Sequence, residues 1–391
     1  MGDQMRKVVI SFFILFFHLI CSFSADASAI EVSAQSSVLM CADTAQIVFA
    51  ENAHERRSMA STTKIMTALL ALESEQLGHT VTVGQEVTQT EGSSLGLAPG
   101  DEILLTDLVC GMLLVSGNDA ANAVAVAVAG SVPAFVQRMN EKAQQLGMRN
   151  TRFETPSGLD AEQHYSTAYD MAILTRAALQ NDIFRDMCSR YTATVEINNK
   201  TVWLQNHNRM LTSYDGLIGV KTGFTKKSGR CLVTAAERNG VCLIAVTLKA
   251  PDDWNDHKKM LDYGFSVVRQ YSLSLSDTVF YVDVVGGTVD RLPCKTAGDI
   301  AYDALEPLRN PEYKVVLEPF VYAPTQSGDI VGTLYCSSDG VTVGSSVLCL
   351  TDSVARNVTV QEKRTFWERI KQYVNGWFAN GRIGKTSKIY G

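Results

Sequence analysis

Cysteine is scarce: nine residues in a chain of 391, far below the density of a disulfide-stapled scaffold. No C-x-x-C pair occurs. The histidines beyond residue 30 (His54, His79, His164, His207 and His257) never fall at H-x-x-x-H or similar spacing, which argues against a metal site. Basic residues are not in excess. The 35 Lys and Arg stand against 41 Asp and Glu for a formal charge of −6, whereas a dedicated nucleic-acid binder carries a basic surface. No repeat of fixed period is present. What remains is ordinary globular composition, 46% hydrophobic and 19% charged, which excludes disorder and fibrous structure. At about 100–200 residues per domain, the length points to two domains.

The two ends read differently from the middle. Arg6 and Lys7 precede an apolar run from Val8 to Phe23, followed by Ala25, Ala27 and Ala29. That order of basic, apolar and small residues reads as a secretory signal over 1–29. The run is shorter than the ~20 residues of a membrane span, so cleavage is preferred over an uncleaved anchor. At the other end, Phe366, Trp367, Ile370, Tyr373, Val374, Trp377 and Phe378 recur at helical spacing. Residues 362–391 hold seven Lys/Arg against two Asp/Glu. A basic amphipathic helix with tryptophans suits an anionic membrane surface, so 361–391 is read as an anchoring tail. Docking on the protein's own core is the bland alternative.

Between the ends, residues 30–270 mix helical and strand patterns, and 271–360 carry short strand-like runs punctuated by glycine pairs. TTKIMTALLALESEQLG has helical periodicity ending at Gly78. TDLVCGMLLV and AANAVAVAVAG read as core helices, the second with Asp119 as its cap. PAFVQRMNEKAQQLG is amphipathic. CLVTAAE and VCLIAVTL are strands joined at Asn239-Gly240, a hairpin signal. The eight cysteines after the signal lie in apolar runs, as small buried hydrophobes do.

Three short motifs occur once each and in order: Ser61-Thr62-Thr63-Lys64, Ser116-Gly117-Asn118 and Lys221-Thr222-Gly223. Singly each is weak; the trio is specific. Ser61 and Lys64 stand at i, i+3, so one helix face presents both side chains together. A serine hydroxyl needs a base to become a nucleophile. Lys64 can serve once its amine is neutral, which burial and a second cation such as Lys221 promote. Ser61 at a helix start would also meet N–H groups suited to a developing oxyanion.

With these motifs, and with the stretches EGSSLGLAPGDEILLTDLVCGMLLVSGNDAANAVA, FETPSGLD, HYSTAYDMA and YDGLIGVKTGFTKKSGRCLVTAAERNG, the chain resembles the serine D-alanyl-D-alanine carboxypeptidases among the low-molecular-mass penicillin-binding proteins. The resemblance implies an α/β (α+β) fold of the serine transpeptidase/β-lactamase type, an antiparallel sheet flanked by helices, with a small β-rich domain after it. It implies Ser61 as the acylated nucleophile, Lys64 as its base and Ser116 as a proton relay. Asn118, Lys221 and Thr222 would hold the substrate, Gly223 would let it lie against the strand, and the N–H groups of Ser61 and Phe224 would form the oxyanion hole. The implied substrate is a peptidoglycan pentapeptide stem, with β-lactams as covalent inhibitors, and no metal or cofactor.

Two departures from the family pattern stand out. Met59 occupies a position where many relatives have proline. The stretch APDDWNDHKK lacks the arginine that some relatives use to grip the substrate carboxylate, which leaves Thr222, Lys221 or Arg230 for that task. A class A-like β-lactamase shares the first and third motifs, but Gly117 replaces its central Asp. A non-catalytic penicillin sensor is the alternative outside enzymology.

Overall fold

The computed structural model describes residues 30–357 together with Ile370 and Lys371, which are helical. The signal segment 1–29, and the tail apart from those two residues, lie outside the described residues.

The described chain divides into two compact units. The first takes residues 30–274 with Asp299–Lys314 and Tyr335–Ser345. Its principal strands are β1 (Ser36–Cys41), β2 (Ile47–Glu51), β3 (Thr80–Thr82), β4 (Glu102–Leu104), β5 (Thr192–Ile197), β6 (Lys200–Gln205), β7 (Leu217–Thr225), β8 (Gly229–Arg238) and β9 (Val241–Leu248). Five of them form an antiparallel sheet in the order β2-β1-β9-β8-β7, and β3-β4-β5-β6 form a smaller one.

The larger sheet is covered on both faces, which explains why β8 and β9 read as continuous apolar runs. On β1, Val38 and Met40 pack into one core cluster while Leu39 and Cys41 enter the other. On β9, Ile244, Val246 and Leu248 alternate in the same way with Leu243 and Ala245. One face meets the helices Lys64–Leu72, Leu105–Leu114, Asn118–Ala129 and Ala168–Leu179; the other meets the helix Asp253–Val267. The β8–β9 hairpin turns at Asn239 (φ 51°) and Gly240 (φ 76°). Both angles are positive, as the tightest hairpin turn demands.

The amphipathic helix runs from Val132 to Gln145, capped by the Ser131 hydroxyl, and buries Phe135, Met139 and Ala143 along one stripe. Two sequence expectations need correction. The helix after Ser61 ends at Leu72, six residues before Gly78. There the Ser74 hydroxyl donates to Ala71 O at 2.7 Å, a local bond that competes with further helix. Asp119 is not a cap: the helix begins at Asn118 behind Gly117, and the Asp119 carboxylate is spent on a neighbouring loop.

The second unit (Leu275–Gly298, Val315–Leu334 and Ser346–Gly391) is built from strands over its described residues 275–298, 315–334 and 346–357. Its strand Phe280–Val285 pairs antiparallel with Arg291–Thr296 and parallel with Val321–Tyr322. Val282, Val284, Leu292 and Cys294 point inward at alternate positions. All eight cysteines of the described residues are free, and six of them are buried. Among the described residues no single helix is long and apolar enough to cross a membrane.

Candidate active site

The nucleophile turn is assembled from its own hydroxyls. Ala60–Thr63 forms a 3-10 turn that runs straight into the helix Lys64–Leu72. Thr62 Oγ1 donates to Met59 O at 2.6 Å, and Thr63 Oγ1 donates to Ala60 O at 2.8 Å. Ala60 sits at φ 48°, in the left-handed region that a non-glycine residue adopts only when its surroundings impose it. Met59 has φ −112°, outside the range a proline ring allows, so the substitution noted in the sequence fits this backbone. His164 braces the turn. Its Nδ1 accepts from the Glu154 N–H at 3.0 Å, which leaves Nε2, 2.9 Å from Thr63 Oγ1, to carry the proton. Burial pulls the His164 pKa down to about 4, so the ring is neutral.

Lys64 is fully buried, and its Nζ has three neighbours: Ser61 Oγ at 3.0 Å, Asn118 Oδ1 at 2.6 Å and Ser157 O at 2.5 Å. The Asn118 amide cannot turn around, because its Nδ2 donates to Glu91 O at 2.6 Å. Two of the three neighbours are therefore acceptors only. A neutral amine gives its two N–H bonds to them and has one lone pair left, aimed at the Ser61 hydroxyl. Burial first, and the Lys221 cation second, hold the Lys64 pKa well below that of an ordinary lysine; Asp119 opposes them weakly. Lys221 is itself buried, donates to Thr222 O at 3.1 Å, and is pulled down to about 7 by desolvation.

The third side of the site is an ordered loop. Asp119 Oδ2 accepts from the Ser94 hydroxyl and from the N–H groups of Gly96 and Leu97, while Oδ1 accepts from those of Leu95 and Ala120. Burial works to raise its pKa, but these bonds outweigh burial and hold the carboxyl below the usual range. The Asn118 N–H also donates to Ser93 O at 2.8 Å. Ser116, at φ 61°, turns its chain into the site.

A pocket of about 240 Å³ is lined by Ser61, Ser116, Thr222, Gly223 and Phe224, with Ser93, His207, Arg230, Asp253 and Trp254 around them. On β7, a Cβ at Gly223 would lie 3.1 Å from the Ser61 nitrogen, so only glycine leaves that N–H open to a ligand. The three motifs thus converge: five of the eight residues named from the sequence line the pocket, and Lys64, Asn118 and Lys221 lie buried around Ser61 and the motif strand. Ser157, Gly158, His164, Ser93 and Asp253 were not singled out from the sequence. The first four lie in FETPSGLD, HYSTAYDMA and EGSSLGL, which carry the resemblance without residue roles, and Asp253 lies in APDDWNDHKK, which the sequence marks only for its missing arginine. A larger cavity of about 440 Å³ around Asp43 and Arg176 contains none of the motif residues.

The sequence profile of the D-alanyl-D-alanine carboxypeptidase (peptidase S11) family matches residues 23–252. The chain belongs to this family. It is 34% identical over 325 residues to the D-alanyl-D-alanine carboxypeptidase DacF of Bacillus subtilis, covering 80% of this chain and 84% of the relative. It is 32% identical over 393 residues to DacC of Escherichia coli, covering 94% and 95%. Among solved structures, the DD-transpeptidase of Streptomyces K15 superposes with a TM-score of 0.59 at 31% identity, over 61% of this chain and all of that one. The fold expected from the resemblance is the one observed, and these relatives do not favour a β-lactamase or a sensor. The chain is a serine-type D-alanyl-D-alanine carboxypeptidase.

Proposed function

We propose that this carboxypeptidase removes the terminal D-alanine of peptidoglycan pentapeptide stems through an ester on Ser61. The observation that carries the reading is the hydrogen-bond arrangement at Lys64, which leaves a neutral amine one lone pair and directs it at the nucleophile. Ser61 Oγ attacks the carbonyl of the penultimate D-alanine while its proton passes to Lys64 Nζ. The developing oxyanion is met by the backbone N–H groups of Ser61 and Phe224. The amide C–N bond breaks, and Ser116 relays to the departing amine the proton that Lys64 took from Ser61, so that Lys64 is neutral again and Ser116 keeps its hydroxyl. Asn118 holds the peptide, while Thr222 lines the wall of the pocket that takes its terminal end. Water then cleaves the ester and restores Ser61. A β-lactam would enter the same pocket and acylate the same oxygen.

The test is direct. The chain, incubated with a pentapeptide ending in D-Ala-D-Ala, should release free D-alanine, and Ser61→Ala should lose both this release and covalent labelling by a fluorescent penicillin. Labelling that survives in the variant refutes the assignment of Ser61.

We further propose that the enzyme is exported and held at the outer face of the cytoplasmic membrane. The order of basic, apolar and small residues over 1–29 supports export, and the basic, aromatic-rich segment after Phe366 supports attachment. Each basic residue near anionic lipid adds about 1 kcal/mol. Deleting 366–391 should abolish salt-sensitive sedimentation with anionic vesicles and spare turnover of a small soluble peptide. If the full chain ignores vesicles and the deletion instead lowers the melting temperature, the tail packs on the protein and the anchoring reading is wrong.

A further inference from the structure

The carboxypeptidase reading leaves one requirement unmet, and the following rests on that reading. A peptide ending in D-Ala-D-Ala brings a free carboxylate, which needs a donor that stays charged. The two lysines are poor candidates. Lys64 is spent on Ser61, Asn118 and Ser157, and Lys221 is buried with its Nζ on Thr222 O. Desolvation also pulls Lys221 down to about 7, and burial with the Lys221 charge lowers His207. The remaining cation on the pocket wall is Arg230, whose planar guanidinium presents five donors in a fixed fork.

Arg230 lies on β8 directly opposite Phe224 of β7, and cross-strand partners project from the same face of a sheet. Both line the pocket that holds Ser61 and Thr222. The side chain is held in place. Its Nε and Nη2 both reach Asp253 Oδ1, at 2.9 Å and 2.8 Å. Its Cζ stands 5.6 Å from the centroid of the Trp254 ring. Asp253 is almost fully buried, whereas the Arg230 side chain is 42% exposed. Two of five guanidinium N–H groups are thus committed to one oxygen, and both Nη1 donors and one on Nη2 remain for a ligand. The stretch after β9 that lacks an arginine supplies instead the acid that tethers one.

We propose that Arg230, fixed by Asp253 and Trp254, is the residue that recognises the substrate's terminal carboxylate, and so sets the preference for a free C-terminus over a blocked one. An Arg–carboxylate fork is geometric as well as electrostatic. The tether to Asp253 removes the rotamer entropy that an unheld arginine would lose on binding.

The experiment compares two substrates, an acyl-D-Ala-D-Ala peptide and its C-terminal amide, in the wild type, Arg230→Gln and Arg230→Lys. The readout is the ratio of their kcat/KM values, which is internal to each preparation and independent of the folded fraction. A hydrogen bond to a charged group is worth roughly tenfold to a hundredfold. Arg230→Gln should lose about that factor on the free acid, change little on the amide, and bring the ratio towards one. Arg230→Lys keeps the charge beside Asp253 without the fork, should show a smaller but definite fall, and carries the test if the glutamine variant does not fold. Arg209→Gln removes a cation from the same Trp254 ring, where Cζ stands 4.9 Å from the centroid, and should leave the ratio unchanged. A wild-type ratio in Arg230→Gln, or in Arg230→Lys where that carries the test, overturns the proposal; so does an equal fall in Arg209→Gln. A wild-type chain that neither releases D-alanine nor accepts a penicillin at Ser61 refutes the carboxypeptidase reading instead, so the two failures are distinct.

Discussion

Gly158 never touches substrate in the proposed reaction, yet replacing it should cripple acylation. Its φ is +87°, and a Cβ built on it would lie 2.0 Å from Ala60 O, 2.5 Å from Ala60 C and 2.9 Å from Thr63 Oγ1. Real Cβ contacts do not fall below 3.0 Å, so the turn carrying Ser61 must retreat by at least about 1 Å. The left-handed backbone alone costs an alanine about 1–2 kcal/mol, and forced repacking adds roughly 1–3 kcal/mol. Together these should lower the melting temperature by about 5–15 °C. The neighbouring Ser157 carbonyl holds Lys64 Nζ, so the displacement reaches nucleophile and base at once. A misplacement of about 1 Å costs roughly a hundredfold in rate. The control is Gly130→Ala. Gly130 also has positive φ, +77°, but nothing lies within 4 Å of its would-be Cβ. That variant should lose only the backbone share of stability and acylate normally. Single-turnover labelling with a fluorescent penicillin, with thermal melts on both variants, decides the matter. Wild-type acylation by Gly158→Ala, or equal destabilisation of the two variants, would refute the reasoning.

The buried titrating groups set the remaining outcomes. Lys64→Ala should slow acylation by at least the ~10²–10⁴-fold that general-base assistance supplies. In the wild type, acylation should fall as pH drops through the depressed pKa of Lys64. Lys221→Met removes the second cause of that depression, so the falling limb should move to higher pH, though burial keeps it below an ordinary lysine's; an unmoved limb in pH–rate profiles would show that the two amines do not interact. For stability, His257 is buried between the hydroxyls of Thr234 and Thr247 and is pulled down to about 3 by burial, as His164 is to about 4. Each is neutral when folded and titrates near 6.5 when unfolded, so the unfolded chain gains protons first and stability falls below pH 6.5. The slope is about 1.4 kcal/mol per pH unit for each ring. Asp303, pushed up to about 7 by burial and by Asp43, has the opposite sign and offsets one of the two. Urea unfolding at pH 6.5 and pH 5 should therefore show about 2 kcal/mol less loss in His257→Asn than in the wild type, and equal losses would contradict the buried neutral ring.

The parts of the site that depend on local geometry are legible from residue types and short spacings. Ser61 and Lys64 meet because a helical turn brings residues three apart onto one face, and Asn239-Gly240 turns a hairpin because both positions accept positive φ. Strands β8 and β9 of the large sheet were legible as apolar runs, but not their two-faced alternation, because a run buried on both sides has no period; β1 and β2 were not read as strands. Ser157 O and Glu91 O have no signature at all, since any residue supplies a carbonyl. They come to Lys64 and Asn118 from 93 and 27 positions away, so only the packed chain could show that the Lys64 amine has one open lone pair. Asp119 read locally as a cap, and long-range bonds to residues 94–97 claimed its carboxylate instead. Arg230 was one of several candidates until the fold set Asp253 beside it. Residue types and short spacings record what a turn of helix or a pair of strands can do. Burial, a lowered amine pKa and the direction of a lone pair arise from groups distant in the chain, and these the tertiary structure alone decides.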